Sequence, residues 1–302
     1  MLEFEGDSPD VGPLMGQTIA CANQKGGVGK TTTVVNVAAY LAAEGERVLV
    51  LDLDPQGNAT SGLGAERAPE GRSIYDALLG EIALAELVVP TEIPNLVLIP
   101  SSIALAGAEV ELADLPQRER RLTALLAPLA REHDYLFIDC PPSLGLLTVN
   151  ALTAVGAVLI PMQCEYYALE GLSQLIATIH LVRDHLNPGL AVKGVVLTMF
   201  DSRTNLSTEV ANEVRRHLGS AVFDAVIPRS VRLAEAPSYG KPGATYAPES
   251  RGAIAYHDLA IEMRRRDGRP SGPAGPGKGS GGPARPRPTR APRPRSAPKV
   301  IA

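Results

Sequence analysis

Nothing in the chain is long and apolar enough to cross a bilayer. Although 45% of its 302 residues are hydrophobic, no apolar run reaches the roughly 18 residues that a membrane helix needs. Cysteine is scarce. Cys21, Cys140 and Cys164 sit in or beside apolar runs, and an odd number of buried-looking thiols reads as reduced core residues, not as a disulfide framework. No cysteine pair has zinc or iron–sulfur spacing. His133, His180, His185, His217 and His257 show no metal-ligand spacing either. Residues 1–16 contain Glu3, Glu5, Asp7 and Asp10 but no base, which excludes a secretory leader with its positive start and apolar middle. A cytoplasmic protein is expected.

Basic charge is lacking from most of the chain and concentrated at its end. After Met263 come eleven Lys or Arg and one acid, Asp267; that segment carries +10, so residues 1–263 carry −14 of the net −4. Residues 267–302 interleave Pro286, Pro288, Pro292 and Pro294 with arginines. Such a composition cannot bury a core and favours extended backbone. It suits contact with a phosphate backbone regardless of sequence, or serves as a solubilising tail. Three segments are expected: a disordered acidic stretch over 1–16, one domain over 17–266, and a disordered basic tail over 267–302.

The most informative stretch is Asn23-Gln-Lys-Gly-Gly-Val-Gly-Lys-Thr-Thr-Thr33. An apolar strand, Thr18–Ala22, precedes it, and a helix is expected over 34–43. Strand, glycine-rich turn and helix N-terminus make a phosphate cradle of inward N–H groups and a positive helix dipole. Gly26, Gly27 and Gly29 allow close backbone approach. Lys30 can reach the β- and γ-phosphates, and the Thr31 hydroxyl can bind Mg²⁺. Lys25 stands where the usual loop has its first glycine, so this is a variant loop. The extra lysine is either a local counter-charge or a group that reaches another molecule's nucleotide.

Two further strand tips carry acids. The run 47–55 is a buried strand ending in Asp52 and Asp54, and 135–139 is another ending in Asp139. Ligands of open α/β sheets sit beyond the carboxyl ends of the strands. Asp139 therefore reads as the acid at the Mg²⁺ end of a Walker B strand. Asp54 can position a water near the γ-phosphate and the metal. Cys140 reads as a packed small residue, with no histidine nearby in sequence to activate it. Further strands are expected over 95–100, 157–161, 192–200 and 222–227. Helices are expected over 73–79, 122–130, up to about 185, over 206–218 and over 250–266, with a loop over 57–72. Strand alternating with helix means a single doubly wound, mostly parallel α/β sheet.

The loop spelling Lys-Gly-Gly-Val-Gly-Lys-Thr-Thr resembles the deviant Walker A ATPases, the ParA/MinD superfamily. The segments 52–64, 163–172, 200–206 and 227–242 look like the ParA/Soj branch of chromosome-partitioning ATPases, and the likeness spans about residues 17–266. This resemblance implies an ATP-binding set of Lys25, Gly26, Gly27, Val28, Gly29, Lys30, Thr31 and Thr32. It implies Mg²⁺ held through Thr31, Asp54 and Asp139, and catalysis resting on Lys25, Lys30 and Asp54. Lys25 matches the lysine that reaches the partner subunit's ATP in a sandwich homodimer, and Asp54 the aspartate that orients the attacking water. Pro141-Pro142-Ser143 resembles the family's second switch. Arg203 and Arg232 match its DNA-contacting arginines. The implied partners are a second copy, non-specific double-stranded DNA and a ParB-type centromere-binding protein that stimulates a weak intrinsic ATPase, at the nucleoid.

Rival readings are weaker. A MinD-like membrane-bound ATPase needs a C-terminal amphipathic helix, and this C-terminal sequence is broken by proline without an apolar face. A nitrogenase-iron-protein-like reductase needs paired cysteines. A cargo-positioning scaffold or a nucleotide-dependent DNA-binding regulator would not need Lys30, Thr31, Asp54 and Asp139 together.

Overall fold

The computed structural model describes residues 16–165 and 168–269. The acidic segment before Gly16 and the Pro/Arg-rich sequence from Pro270 onward lie outside the described residues. Eight strands form one sheet: β1 (Gln17–Cys21), β2 (Val48–Asp52), β3 (Val89–Pro90), β4 (Leu96–Ile99), β5 (Tyr135–Asp139), β6 (Ala157–Gln163), β7 (Ala191–Phe200) and β8 (Val222–Pro228). Their order is β3-β4-β2-β5-β1-β6-β7-β8. Every pair is parallel except β3–β4 at one edge. The expected doubly wound sheet is therefore observed.

The helices are α1 (Lys30–Ala43), α2 (Asn58–Gly62), α3 (Ile74–Leu79), α4 (Leu105–Glu111), α5 (Arg121–Glu132), α6 (Leu146–Ala154), α7 (Ala168–His185), α8 (Asn205–Leu218), α9 (Val231–Glu235), α10 (Gly243–Tyr246) and α11 (Arg251–Arg266). Strand alternation divides the core in two. Ile19, Cys21, Val50 and Phe137 face α1 and α11, where Val34, Leu41, Tyr256 and Met263 meet them. Ala20, Leu51, Leu136 and Ile138 face the opposite layer, built from α3 to α8. Side chains start the helices where the sequence places them. Ser73 and Asp76 form a capping box on α3, Thr204 caps α8 and Ser250 caps α11.

The structure adds α2, α4, α6, α9, α10 and the edge strand β3 to the elements expected from the sequence, and three of the differences have a plain physical reason. The expected loop over 57–72 contains α2, which is pinned across a turn: the Asp52 carboxylate accepts from the Thr60 N–H and hydroxyl, both at 2.7 Å. Such an anchor leaves no periodicity to read. Helix α6 is buried over most of its surface and has no amphipathic stripe. Finally, packing continues into the segment assigned to the tail. Asp267 accepts from the Tyr135 hydroxyl at 2.8 Å, and Arg269 pairs with the buried Glu46 and lies 4.7 Å over the Tyr135 ring.

In register, Cys21 stands beside Asp139 and Asp139 beside Asp52. The carboxyl tips of β1, β2 and β5 thus bring the glycine-rich loop and two acids to one point.

Candidate functional site

The loop over 23–29 leaves β1 and becomes the N-terminus of α1. Gly27 (φ 74°) and Gly29 (φ 91°) adopt left-handed backbone that a Cβ would oppose. Gly29 directly precedes Lys30, so the unpaired N–H groups of the first helical turn adjoin the loop. Two side chains hold this shape. The Asn23 amide donates to the Pro161 carbonyl (2.8 Å) and accepts from the Lys25 N–H (3.0 Å). The Thr198 hydroxyl on β7 donates to the Val28 carbonyl at 2.7 Å. Lys30 is buried, and its ammonium donates back to the Lys25 carbonyl at 3.2 Å.

Thr31 Oγ1 donates to Asp139 Oδ2 at 2.7 Å, while Asp139 Oδ1 is buried without a hydrogen-bond partner. Burial holds the Asp139 carboxyl well above the usual carboxylate range, and burial pushes the neighbouring Asp52 up to about 6. The buried Asp139 thus interacts electrostatically with two other buried acids, Asp52 and Asp54, and with the buried ammonium of Lys30. An orphaned carboxylate oxygen in an acid-rich pocket fits a divalent cation. Among the described residues no group of three or more His, Cys, Asp or Glu is arranged to hold a metal alone. Mg²⁺ fits that arrangement, because it is held by one or two carboxylates together with substrate phosphates.

The two acids at the β2 tip have different surroundings. Asp52 is committed to Thr60 and to the Asp54 N–H (3.3 Å), so it organises the backbone. Asp54 is also buried; one of its oxygens accepts from the Gln56 N–H at 3.0 Å, and its carbonyl accepts from Ser101 Oγ at 2.5 Å. Lys25 is half-exposed at the mouth of the loop and forms a 2.8 Å ion pair with Glu165. Burial raises the Cys140 thiol far above its ordinary value, in keeping with a packed residue.

Thr31 and Thr32 open onto a cavity of about 210 Å³, lined also by Asn36, Asn58, Pro237 and Lys241. The sequence reading missed this cavity and missed Asn23, Glu165 and Thr198. The available signal for the cavity was the run Pro237-Ser-Tyr-Gly-Lys-Pro242, whose nearness to α1 is a tertiary fact.

Arg203 and Arg232 do not join this cluster. Their side chains are 84% and 62% exposed and pair with Asp201 (2.6 Å) and Glu235 (3.0 Å). They follow β7 and β8, parallel neighbours with Phe200 opposite Pro228. Both therefore lie toward the carboxyl edge of the sheet that also carries the glycine-rich loop.

Comparison with known proteins bears on this geometry. A family profile described as an AAA domain matches residues 16–192. The sporulation initiation inhibitor protein Soj of Bacillus subtilis is 56% identical over 249 residues, covering 82% of this chain and 98% of Soj. The chromosome partitioning protein ParA of Myxococcus xanthus is 53% identical over 253 residues, covering 84% and 89% respectively. Among solved structures, cobyrinic acid a,c-diamide synthase from Mycobacterium smegmatis with bound ADP and magnesium matches at TM-score 0.73 and 39% identity, covering 86% of this chain and 98% of that one. The cell division ATPase MinD of Pyrococcus furiosus matches at TM-score 0.70 and 28% identity, covering 83% and 100%.

Proposed function

The chain belongs to the family of Soj and ParA chromosome-partitioning ATPases, and from that premise we propose that it segregates DNA through an ATP-driven cycle of dimerisation and DNA binding. ATP hydrolysis is its reaction, with ATP and Mg²⁺ as cofactors. In this reading, backbone N–H groups over Lys25–Thr32 cradle the phosphates, Lys30 neutralises the β- and γ-oxygens, and the adjoining 210 Å³ cavity takes the nucleoside. Thr31, Asp139 and Asp54 hold Mg²⁺, which when bound supplies positive charge to the phosphates. Asp54 orients the attacking water.

Lys25 exchanges its Glu165 contact for the ATP of a second copy, so the two loops meet across a sandwich dimer. Dimerisation doubles each basic contact, which lets ATP switch non-specific binding to duplex DNA through Arg203 and Arg232. Intrinsic turnover is weak, a ParB-type partner raises it, and the protein works in the cytoplasm on the nucleoid. The observation that carries the reading is the buried, unpartnered Asp139 Oδ1 beside Thr31 at the mouth of the glycine-rich loop.

Duplex-DNA affinity measured with ATP, with ADP and without nucleotide, alongside phosphate release, tests this reading. Tighter binding in ATP alone, with slow release of phosphate, is expected. Equal binding in all three states refutes the switch, and Lys30→Ala that still binds ATP tightly refutes the site.

A further inference from the structure

Three residues in the described structure other than glycine adopt left-handed backbone: Asn95 (φ 66°), Gln117 (φ 53°) and Met199 (φ 51°). Asn95 and Gln117 lie in turns, whereas Met199 lies inside strand β7. The strand is irregular there. Leu197 pairs with Val226 and Phe200 with Pro228, so β7 spends one residue more than β8 over that interval. This is a β-bulge, a device that breaks the ladder and re-aims the chain beside functional sites. A non-glycine residue held in that backbone region marks strain that the surroundings must sustain.

The two sides of the bulge have different partners. On its amino side, buried Thr198 reaches the phosphate loop: its hydroxyl donates to the Val28 carbonyl at 2.7 Å. A Cβ placed on Gly29 would lie 3.8 Å from Thr198 Cγ2, so loop backbone and threonine side chain are close neighbours. On its carboxyl side, the Phe200 carbonyl accepts from the Arg229 N–H at 3.1 Å, tying β7 to the turn that leads into Arg232. Asp201 then orients Arg203 through three contacts, from its N–H (3.0 Å), its Nε (2.8 Å) and its Nη2 (2.6 Å). Within the six residues 198–203, the chain thus touches the phosphate loop, the Arg232 turn and Arg203.

We propose that Thr198 and the Met199 bulge couple the phosphate loop to the arginine-bearing edge, with Thr198 a positioning residue that senses the Val28 carbonyl. A shift of the loop when phosphate binds pulls on a buried hydroxyl, and the bulge passes that displacement to Phe200 and Asp201. An in-register strand would resist it, because every ladder bond would have to shift together. The inference rests on the reading of Arg203 and Arg232 as DNA contacts and adds how nucleotide state reaches them.

The test uses the full chain and a duplex of arbitrary sequence, with affinity measured at saturating Mg-ATP and at saturating Mg-ADP. Saturation removes any change in nucleotide affinity from the comparison. Thr198→Val keeps the shape and deletes the donor; it should lower the ATP-to-ADP ratio of DNA affinity by about tenfold, the effect of losing one buried hydrogen bond. Thr198→Ser restores the hydroxyl and most of the ratio, which a purely packing role for the threonine would not produce. Met199→Gly relieves the backbone strain without touching either arginine, and should lower the ratio while leaving thermal stability equal or higher. If Thr198→Val does not fold, Met199→Gly decides. A parental ratio in Met199→Gly, or in a folded Thr198→Val, overturns the coupling while the DNA surface stands. Parental DNA affinity in Arg203→Ala overturns the surface, and the coupling with it.

Discussion

Thr31 Oγ1 and Asp139 Oδ2 lie 2.7 Å apart and join the first turn of α1 to the tip of β5. The contact satisfies half of a carboxylate that is fully buried and leaves Oδ1 without a partner. The ligand-free fold is therefore destabilised at the point where the metal is proposed to bind. Asp139→Asn removes the cost of ionising a buried carboxyl, which burial already holds well above the usual carboxylate range, and can still accept from Thr31. The ligand-free variant should melt about 2–4 °C higher, as expected for roughly 1 kcal/mol in a domain of this size, and should lose the extra stabilisation that Mg-ATP confers on the parent. A lower ligand-free melting point, or an unchanged response to Mg-ATP, contradicts the assignment.

Asp54 is proposed to act on water, so its loss should separate binding from chemistry. Asp54→Ala should bind ATP and dimerise but hydrolyse about 10²–10⁴-fold more slowly, the range for losing one positioned proton acceptor. The variant should then stay on DNA after ATP addition while the parent releases. Phosphate release at the parental rate sinks this role.

Lys25 and Gly26 bear on the dimer. The Lys25–Glu165 pair is half-exposed, and such pairs contribute about 0–1 kcal/mol, so little holds Lys25 within its own subunit. Lys25→Ala should bind ATP yet sediment as a monomer. Gly26 makes the stricter test. Its φ is not in the left-handed region, and a Cβ there would meet only Pro142 Cβ, at 3.8 Å. The fold itself gives no reason to exclude a side chain. Gly26→Val should therefore melt like the parent and still fail to dimerise in ATP. Dimers of normal affinity in that variant mean that the loops do not meet.

The parts of the site that the sequence reveals are those adjacent along the chain. The loop from Lys25 to Thr32 carries its own spelling, and Asp54 and Asp139 sit at the ends of apolar runs that could only be strands. The resemblance singled out Asp54, but what occupies Asp52 was not legible, because it depends on Thr60, eight residues away across a turn that has no periodic pattern. Thr198 was hidden for a related reason: it lies 170 residues from Val28 and looks like any other strand threonine until β7 is placed near the loop. The cavity beside Thr32 is assembled from α1, α2 and the turns after α9, so no local pattern could announce it.

Both the folded body and the basic C-terminal sequence carry charge that suits DNA. From Pro270 to the end there are seven Lys or Arg and no acid, so this segment is expected to bind DNA in its own right. Binding through phosphate neutralisation weakens with salt at a slope of about −0.9 per contact. In an ATP dimer, Arg203→Ala removes two such contacts, so the slope should flatten by about 1.8 on every sequence alike. The tail's charges are present in monomer and dimer equally. Deleting the tail should lower affinity in ATP and in ADP together and leave their ratio intact. The deletion must start at Pro270, because Arg269 pairs with Glu46, and removing it would leave a buried carboxylate short of a partner. The measurement is a salt titration of duplex binding for the parent, Arg203→Ala and the 270–302 deletion, each with ATP and with ADP. If the deletion abolishes the ATP dependence while Arg203→Ala behaves like the parent, the switch resides in the tail and the body reading is wrong.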